Sequence, residues 1–374
     1  MNAILPPHWD PQLAADKVLA NLVTVTSPVV KGAHDSDFVI VDGKAYIVYM
    51  ANDVQPGEAS TWPFVYNAMT IVDVATGELE STVTFAASEM KYQNASLPVG
   101  ACFVPRIIEK DATTLRCFFA SEDPEHRQSQ TWYIDFNRVT RAFDWNIYQM
   151  LLETDAGLEP MQPVALHRHV AARGFARPLR SYGLYLVDSF KRIDGVVYAM
   201  MNNYPHGPSS LTVLNDQMNC LKVIGSQIYP TEPLLSETSF NKLPDGTLLA
   251  VSRQEGGSVN YMFSESRDGE NWTPNEHRDT IVGGGCSKGT FDLFGGVYYL
   301  GWQDASQING ADRSIFNIDV SRDGANWERK YRFETERSFQ YPVFRDWGGH
   351  VYVTVTQGGP SSCLKERIMF GRVE

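Results

Sequence analysis

The sequence predicts an all-β fold, a six-bladed β-propeller built of four-stranded antiparallel blades. Several segments share one pattern, in which an apolar run, a turn with glycine and a second run of β-branched and aromatic residues follow each other. The turn glycines Gly195, Gly246, Gly296 and Gly349 lie 51, 50 and 53 residues apart. No helical repeat separates the runs. A period near fifty residues with Asp-Gly or Gly-Gly turns is typical of propeller blades.

Each copy of the pattern predicts a β-hairpin, because two strand-like runs flank a short turn. Five copies are clear, at 37–49, 189–201, 239–251, 290–302 and 343–355. A weaker sixth copy at 101–121 has Asp111 where the others have glycine. One further strand-like segment follows each hairpin, at 69–79, 130–140, 209–216, 260–272, 314–327 and 367–374. Six hairpins with six followers predict six blades.

The two ends of the chain are expected to meet in the last blade. Because the last follower reaches residue 374, the outermost strand of that blade is predicted to come from residues 17–27, which would close the ring and remove an exposed edge. We expect residues 1–374 to form a single propeller domain, since large all-β folds exceed the usual domain length. The segment at about 141–182 departs from the period and is predicted to be an insertion between the second and third blades, forming a lid or an oligomer contact.

Charge and hydropathy exclude several classes of partner. The chain has 32 Lys and Arg against 44 Asp and Glu, a net charge of −12, and no dense basic run. Nucleic acids and anionic membranes need clustered basic residues, so neither is expected as a partner. No apolar stretch is long enough for a membrane helix, and the first residues lack a signal-peptide pattern. We expect a cytoplasmic chain or a secreted one whose signal has been removed, and the oligomeric state stays open.

The cysteines give no sign of a disulfide framework or a zinc site. They are odd in number and contain no C-x-x-C pair, so we interpret most of them as buried thiols. No metal or other cofactor is predicted. The five are Cys102, Cys117, Cys220, Cys286 and Cys363.

Two short motifs connect the repeat to a known family. SRDGENW (266–272) and SRDGANW (321–327) match the S-x-D-G-x-x-W form of the Asp-box, also called the BNR repeat, and lie one blade period apart. With this repeat the chain resembles the sialidase (neuraminidase) superfamily, most clearly over residues 230–374. In such turns the Asp ties the hairpin backbone, so Asp268 and Asp323 are predicted to be scaffold residues rather than catalysts.

The repeats can be aligned on a Phe that the five clear copies share. Polar residues three positions before this Phe stand at strand starts next to buried strands, so we expect them to converge on one mouth of the ring. Four of the five are polar: Asp35, Val187, Glu237, Lys288 and Tyr341.

The resemblance to sialidases implies roles for several of these side chains. In that family a Tyr activated by a Glu attacks the anomeric carbon, and three arginines hold the substrate carboxylate. Tyr341 matches the nucleophile, Glu237 its base, and Arg253 and Arg313 two of the three arginines. Asp53, in the loop after the first hairpin, stands where the family has its general acid.

One part of the family pattern is missing. The first blade should carry an Arg in an F/Y-R-I-P motif, and this chain has AHDSDF there instead. His34 and Asp35 are expected to complete the site floor, while Lys288 and His206 are further candidates for substrate binding. Each candidate also has a structural interpretation, such as an ion pair with Glu255 for Arg253.

Three functions are compatible with these residues. The first is a sialidase-like glycoside hydrolase that cleaves a terminal anionic sugar from a glycan. The second is a polysaccharide lyase acting on uronic-acid glycans by β-elimination, with Tyr341 or a His moving the proton. The third is a glycan-binding propeller without catalysis. The expected partner for an enzyme is an anionic oligosaccharide or polysaccharide.

Overall fold

The chain folds mainly into β-strands. A computed structural model describes residues 3–57, 63–123, 128–175, 177–179, 183–204, 207–227, 234–255 and 260–374. These residues contain two short helices, α1 (Pro11–Leu19) and α2 (Pro163–Ala171), and neither is long and apolar enough to cross a membrane. The prediction of an all-β fold is confirmed.

Twenty-seven strands are present in the described residues. The first twelve are β1 (Val23–Thr24), β2 (Gly32–Val41), β3 (Lys44–Asn52), β4 (Tyr66–Asp73), β5 (Leu79–Ala86), β6 (Cys102–Glu109), β7 (Thr114–Asp123), β8 (Gln128–Asn137), β9 (Ala142–Phe143), β10 (Tyr148–Gln149), β11 (Leu151–Thr154) and β12 (Gly157–Pro160). The others are β13 (Tyr185–Leu186), β14 (Lys191–Ile193), β15 (Val196–Asn202), β16 (Ser209–Leu214), β17 (Cys220–Gln227), β18 (Leu234–Lys242), β19 (Leu248–Glu255), β20 (Tyr261–Ser266), β21 (Thr290–Phe294), β22 (Val297–Gln303), β23 (Ile315–Ser321), β24 (Glu328–Glu334), β25 (Phe339–Trp347), β26 (His350–Gly358) and β27 (Lys365–Arg372).

The strands form separate sheets that follow one another around a ring. In order, they contain β2–β5, β6–β10, β11–β17, β18–β20, β21–β24, and β25–β27 with β1. Their inner strands touch in sequence: β25 contacts β2, β2 contacts β6, β6 contacts β13, β15 contacts β18, β18 contacts β21, and β21 returns to β25. This closed circle of neighbouring sheets is a β-propeller.

The predicted design of four-stranded antiparallel blades fits, and five such blades are counted in the described residues. Five of the sheets have four or more strands, whereas the sheet of β18–β20 has three in the described residues. After β20 the chain returns beside Phe263 only as an isolated bridge to Glu276. Pro274 precedes that bridge, and a proline cannot donate to a strand ladder, so a regular fourth strand does not form there.

The predicted turns explain the hairpins at the inner edge of the ring. Four of them are two-residue loops at Asp42-Gly43, Asp194-Gly195, Gly295-Gly296 and Gly348-Gly349. Both residues of each loop have positive φ, between 50° and 82°. This is the type I′ turn, whose twist matches that of the flanking strands and which favours Asp-Gly and Gly-Gly.

The N-terminal segment joins the last blade, as expected, but less of it is strand than predicted. β1 pairs antiparallel with β27 through Val23 and Thr24 only. Residues before it form α1, which begins after Asp10, whose carboxylate accepts the N–H groups of Gln12 and Leu13. This Asp cap followed by Pro11 is a helix-start signal, and it prevails over the apolar pattern of residues 17–22.

The predicted insertion packs on the outside of the ring. β11 pairs in parallel with β17 on the side of that strand away from the inner β13, and β12 pairs with β11. Leu166 and Val170 of α2 are buried in the same apolar cluster as Leu221. The described part of this segment therefore adds outer strands to the second sheet, through β9 and β10, and to the third sheet, through β11 and β12. It does not cover the inner strands, while an oligomer contact stays a prediction.

The two S-R-D-G-x-N-W segments adopt the same turn. Asp268 accepts the backbone N–H groups of Glu270 and Asn271, and Asp323 accepts those of Ala325 and Asn326. In each turn the Trp indole N–H donates to the carbonyl of the turn glycine. Both carboxylates accept hydrogen bonds from the backbone of their own turn, as expected for scaffold residues.

Candidate active site

The inner strands present the predicted site residues at one matching position. In β2, β6, β18 and β25 the pairing register shifts at this same position, which marks a β-bulge. Asp35, Val104 and Tyr341 occupy it with φ of 47°, 50° and 51°. A left-handed conformation is uncommon for residues other than glycine and a genuine outlier for Val. A β-bulge changes the direction in which a side chain points, and bulges are common next to active sites. The four strands therefore have the same irregularity at the same height of the ring.

A Tyr, a Glu and an Arg meet at the centre of the site. The Tyr341 hydroxyl donates to Glu237 Oε1 at 2.6 Å. Arg253 Nη1 donates to Glu237 Oε2 at 2.8 Å and to the Tyr341 oxygen at 2.8 Å. The Tyr and the Glu are 104 positions apart in sequence and lie on different sheets. The predicted nucleophile, its predicted base and one of the predicted substrate-binding arginines are therefore in mutual contact.

Arg253 is also held from its other side. Its Nε lies 3.0 Å from Glu255 Oε1 and donates to Cys286 Sγ at 3.3 Å, while its Nη2 donates to Glu255 Oε2 at 3.3 Å. Ser236 Oγ in turn donates to Glu255 at 2.6 Å. Most N–H groups of Arg253 are thus bonded within the protein, and the Arg253–Glu255 pair of the structural interpretation is present together with the contacts to Glu237 and Tyr341.

Arg313 approaches the same phenol from another sheet. Its Nη1 donates to Gln340 Oε1 at 2.8 Å and its Nη2 to the carbonyl of Cys286 at 2.6 Å. The guanidinium carbon lies 6.0 Å from the centre of the Tyr341 ring. No carboxylate of the described residues forms an ion pair with Arg313. Its charge is therefore available to an anionic ligand.

His34 packs against the ring of Tyr341. The two ring centres are 4.4 Å apart, and His34 Nδ1 lies 3.0 Å from the hydroxyl oxygen of Thr356. Burial, followed by the nearby charges of Lys365 and Arg313, lowers the pKa of His34 well below its ordinary value. The imidazole is therefore neutral at physiological pH.

Asp35 and Lys288 lie on the buried side of the site. Arg106 Nη2 donates to Asp35 at 3.1 Å and 3.3 Å from its two oxygens, and Lys288 Nζ is 3.9 Å from the same carboxylate. The ammonium is 5.9 Å from the centre of the Tyr341 ring. Lys288 and Arg106 are each only 1% exposed. Both predicted residues border the centre, but as part of its floor rather than its open surface.

The electrostatics give Tyr341 and Glu237 opposite protonation states. Burial, reinforced by the Glu237 charge, raises the pKa of Tyr341 well above its ordinary value, although Arg253 and Arg313 act against this. Burial alone would raise the pKa of Glu237, but the Arg253 charge and the hydrogen bond from Tyr341 bring it below its ordinary value. A neutral phenol thus donates to an ionised carboxylate, which is the arrangement of a nucleophile with its base.

Of the predicted site residues, Asp53 is not found at this centre. Asp53 is exposed and accepts the hydroxyl of Tyr66 at 2.7 Å, and no described contact joins it to Tyr341 or Glu237. Its position in a loop that leaves the inner hairpin explains why sequence register could not place it. His206 lies outside the described residues.

Sequence reasoning missed the roles of two residues that shape the site, Arg106 and Cys286. Arg106 lies in the weak copy of the repeat, where Ile107 replaces the Phe used for alignment. Arg106 stands one residue before Ile107, just as Asp37 stands one residue before Phe38. Cys286 holds both arginines, one through its thiol and one through its carbonyl. Glu255 ends the strand that carries Arg253, and the pairing of the two that the sequence suggested is found.

Comparisons with known proteins agree with this geometry at the level of the fold. No protein-family model matches the chain, and no curated protein does. Among solved structures, a protein of unknown function from Dyadobacter fermentans superposes with a TM-score of 0.64 at 10% identity, covering 94% of this chain and 97% of the other.

Sialidases are among the similar structures. Trypanosoma rangeli sialidase in complex with sialic acid superposes with a TM-score of 0.60 at 12% identity over 94% of this chain, and this match covers 57% of the sialidase chain. A mutant of NanB sialidase from Streptococcus pneumoniae gives a TM-score of 0.58 at 12% identity, with 95% and 70% of the two chains covered. The chain has a sialidase-like fold. At such identity the likeness extends to the fold alone.

Proposed function

We propose that this protein is a glycoside hydrolase that removes a terminal acidic sugar from a glycan. The observation that carries the proposal is the hydrogen bond of 2.6 Å from the Tyr341 hydroxyl to Glu237, with Arg253 bonded to both. A buried Tyr that donates to an ionised Glu is suited to nucleophilic attack, because the proton moves to the carboxylate as the phenol oxygen bonds to carbon. The sialidase-like fold supports the same reaction class.

In the proposed mechanism, Tyr341 attacks the anomeric carbon while Glu237 accepts the phenol proton. The bond to the leaving oxygen breaks, and Asp53 is our proposed donor of the proton that this oxygen needs. Arg253 stabilises negative charge on the phenol oxygen as it develops. Water then attacks the glycosyl-tyrosine intermediate and gives one proton to the Asp53 carboxylate. Tyr341 leaves as a phenol by recovering the proton from Glu237, and the free sugar is released.

The acidic group of the sugar is proposed to bind at Arg313. This cation has no carboxylate partner among the described residues and lies next to the Tyr341 ring. Arg253 contributes charge but has few free N–H groups, as its bonds to Glu237 and Glu255 indicate. The sugar's acidic group is therefore proposed to be held less tightly than by three arginines. The buried Lys288 contributes through its charge rather than through a direct contact.

A panel of aryl glycosides tests this proposal. Methylumbelliferyl glycosides of a sialic acid, of glucuronic acid and of galacturonic acid are compared with those of glucose and galactose. Hydrolysis of at least one acidic glycoside, with the neutral ones resistant, is the expected outcome. Absence of turnover on every glycoside would contradict the proposed hydrolase.

A uronate lyase is the second candidate, and the floor of the site favours it. Asp35 stands where a third arginine is expected from the family pattern, and the neutral ring of His34 lies 4.4 Å from Tyr341. A neutral imidazole or a phenolate could remove the proton next to a uronate carboxylate. An unsaturated sugar in the products of a uronate polymer would identify the lyase. Binding of glycans without any product would instead favour a non-catalytic propeller.

We also propose that the ring is a six-bladed propeller with Asp-box turns. All six sheets take part in the closed circle of inner strands, and the bridge at Glu276 occupies the place of a fourth strand in the short sheet. The turns at Asp268 and Asp323 have the backbone bonds that the Asp-box motif predicts. An experimental structure that shows five blades around the axis would contradict this count.

A further inference from the structure

One edge of the Arg253 guanidinium already faces a carboxylate of the protein itself. Arg253 Nε lies 3.0 Å from Glu255 Oε1, and its Nη2 donates to Glu255 Oε2 at 3.3 Å. Two nitrogens of one arginine next to the two oxygens of one carboxylate form the bidentate contact by which arginines recognise acids. Glu255 therefore takes the position on Arg253 that the carboxylate of an acidic sugar would need.

Glu255 lies closer than Arg253 to the mouth of the ring at which the inner strands begin. It pairs with the first residue of β18, whereas Arg253 lies opposite the bulge that contains Glu237. The side chain of Glu255 is 18% exposed, against 9% for Arg253. A ligand that enters through this mouth therefore meets the Glu255 carboxylate before it reaches the guanidinium.

The propeller framework does not require a carboxylate at this position. Four hairpins have a β-bulge in the inner strand, opposite one residue of the second strand. Two residues beyond that point the four second strands carry Ala51, Ser121, Glu255 and Gln357. The three that are not Glu255 are uncharged. Glu255 is therefore a feature of this site and not of the repeated hairpin.

Arg253 lies between two carboxylates. Its Nη1 donates to Glu237 at 2.8 Å, and Glu255 is fastened on the other side by the Ser236 hydroxyl at 2.6 Å. With formal charges of +1 for Arg253 and −1 for each Glu, the three groups together carry −1. A substrate carboxylate next to them would be repelled, because like charges placed side by side oppose binding.

We propose that Glu255 is a specificity-determining residue that keeps the acidic group of a substrate away from Arg253. The acidic group then bonds to Arg313, and the sugar presents hydroxyl groups to the Arg253–Glu255 pair, since a carboxylate accepts hydrogen bonds from hydroxyls. The substrate class is thus a sugar with a single acidic group. This inference rests on the proposed function, because it takes an acidic sugar as the ligand.

Calorimetric titration of the full chain with sialic acid, glucuronic acid and neutral galactose tests this role. Glu255→Gln removes the charge and keeps the shape, so it should bind the acids at least about tenfold more tightly than the wild type, as for one charge-assisted hydrogen bond gained. Its affinity for galactose should not change. A merely structural role of Glu255 predicts the opposite sign, because Arg253 would then lose one of the groups that hold it.

Glu334→Gln is the matched control. Glu334 is bonded to Arg332 at the same spacing of two residues, but on the outer strand β24, so this variant should bind all three sugars like the wild type. Acid binding in both Glu255→Gln and Glu255→Ala that is no tighter than in the wild type would overturn the inference, even if the protein cleaves acidic glycosides. Tighter acid binding without turnover of any glycoside would support the inference and contradict only the proposed hydrolase.

Discussion

Two positions of the same inner strands, only two residues apart, are used in opposite ways. Asp37 is fully buried, and its carboxylate accepts from the N–H groups of Phe38 and Ile107, the Ser189 hydroxyl and the Arg345 guanidinium at 2.9 to 3.2 Å. Asp37 thus ties its own sheet to three others. Two residues earlier, at the bulge, the strands carry Asp35 and Tyr341 in left-handed conformations.

The difference between these two positions shows how one ring can hold both a stabilising hydrogen-bond network and a candidate active site. Strand side chains alternate, so every second residue of an inner strand faces the axis. At the Asp37 level the carboxylate is bonded only within the protein, as a structural residue should be. At the bulge level strained backbone holds Tyr341 against Glu237, while Arg313 keeps its charge free. Strain of this kind is typical of functional sites.

Removing the hydroxyl at the bulge level should have the largest effect on activity. Tyr341→Phe keeps the aromatic surface but loses the attacking oxygen, so we expect kcat to fall about two to four orders of magnitude, as for loss of a nucleophile or proton carrier. Glu237→Gln should give a similar loss. The measurement is steady-state kinetics on the glycoside that the wild type cleaves.

A matched tyrosine and a double variant sharpen this prediction. Tyr352→Phe, which changes a buried tyrosine stacked on Phe370 in the same sheet, should leave kcat near the wild-type value. The double variant of Tyr341 and Glu237 should be scarcely slower than either single one, because the two act as one unit. Full activity of Tyr341→Phe would show that the reaction does not use the residue at the bulge.

Removing the carboxylate at the structural level should instead affect folding. Asp37→Ala leaves the N–H groups of Phe38 and Ile107 without their acceptor and the partly buried Arg345 without its ionic partner. An unsatisfied buried donor costs about 1–3 kcal/mol. We expect a lower free energy of unfolding, measured by denaturant titration. Asp346→Ala, an exposed residue of the same strand, is the control and should unfold like the wild type. A loss of activity in Asp37→Ala without a loss of stability would contradict the comparison.

Arg313 should affect binding more than turnover. Arg313→Met removes the cation proposed to hold the acidic group, and charge-assisted hydrogen bonds contribute about 1.5–3 kcal/mol, so KM should rise about ten- to a hundredfold. The kcat should change much less, since the Tyr341–Glu237 pair is retained. Arg322→Met, which alters an exposed arginine near the Asp323 turn, should leave both constants unchanged. An unchanged KM in Arg313→Met would refute the proposed clamp.

The smallest predicted effect is a shift in the pH profile. Glu237 acts as a base only when ionised, and the Arg253 charge and the hydrogen bond from Tyr341 bring its pKa below its ordinary value, so kcat/KM should decline only in acid below the usual range of a glutamate. Arg253→Met removes the main charge that lowers this pKa, while burial still raises it, so the acid limb of the residual activity should move to higher pH. Arg278→Met, an arginine paired with Glu265, should not move it. An unmoved limb in Arg253→Met would assign the titration to another group.

Sequence periodicity could predict the parts of the site that lie on regular strands. The turn chemistry of Asp42-Gly43 fixes a hairpin register, and the shared Phe then aligns Glu237 with Tyr341 across 104 positions. The same method failed for Arg106, because its copy of the repeat lacks both the Phe and the turn glycine.

The remaining differences arise where periodicity has no information. The thiol and the backbone carbonyl of Cys286 reach the two arginines from an irregular segment before β21, and no pattern positions such a loop. Asp53 is likewise in a loop, where it bonds to Tyr66 instead of joining the centre. The Asp10-Pro11 pair indicates the start of the helix α1, whereas the apolar alternation of residues 17–27 predicts a strand over part of the same segment.

Covalent trapping tests the central claim most directly. The wild type is incubated with activated fluorinated derivatives of sialic and uronic acids, which slow the second half of a retaining reaction, and the modified peptide is identified by mass spectrometry. The account predicts one glycosyl adduct on the phenol oxygen of Tyr341, and none in Tyr341→Phe. An adduct on a carboxylate such as Glu237 or Asp53, or turnover of the parent glycoside without any adduct, would contradict the claim that Tyr341 is the nucleophile.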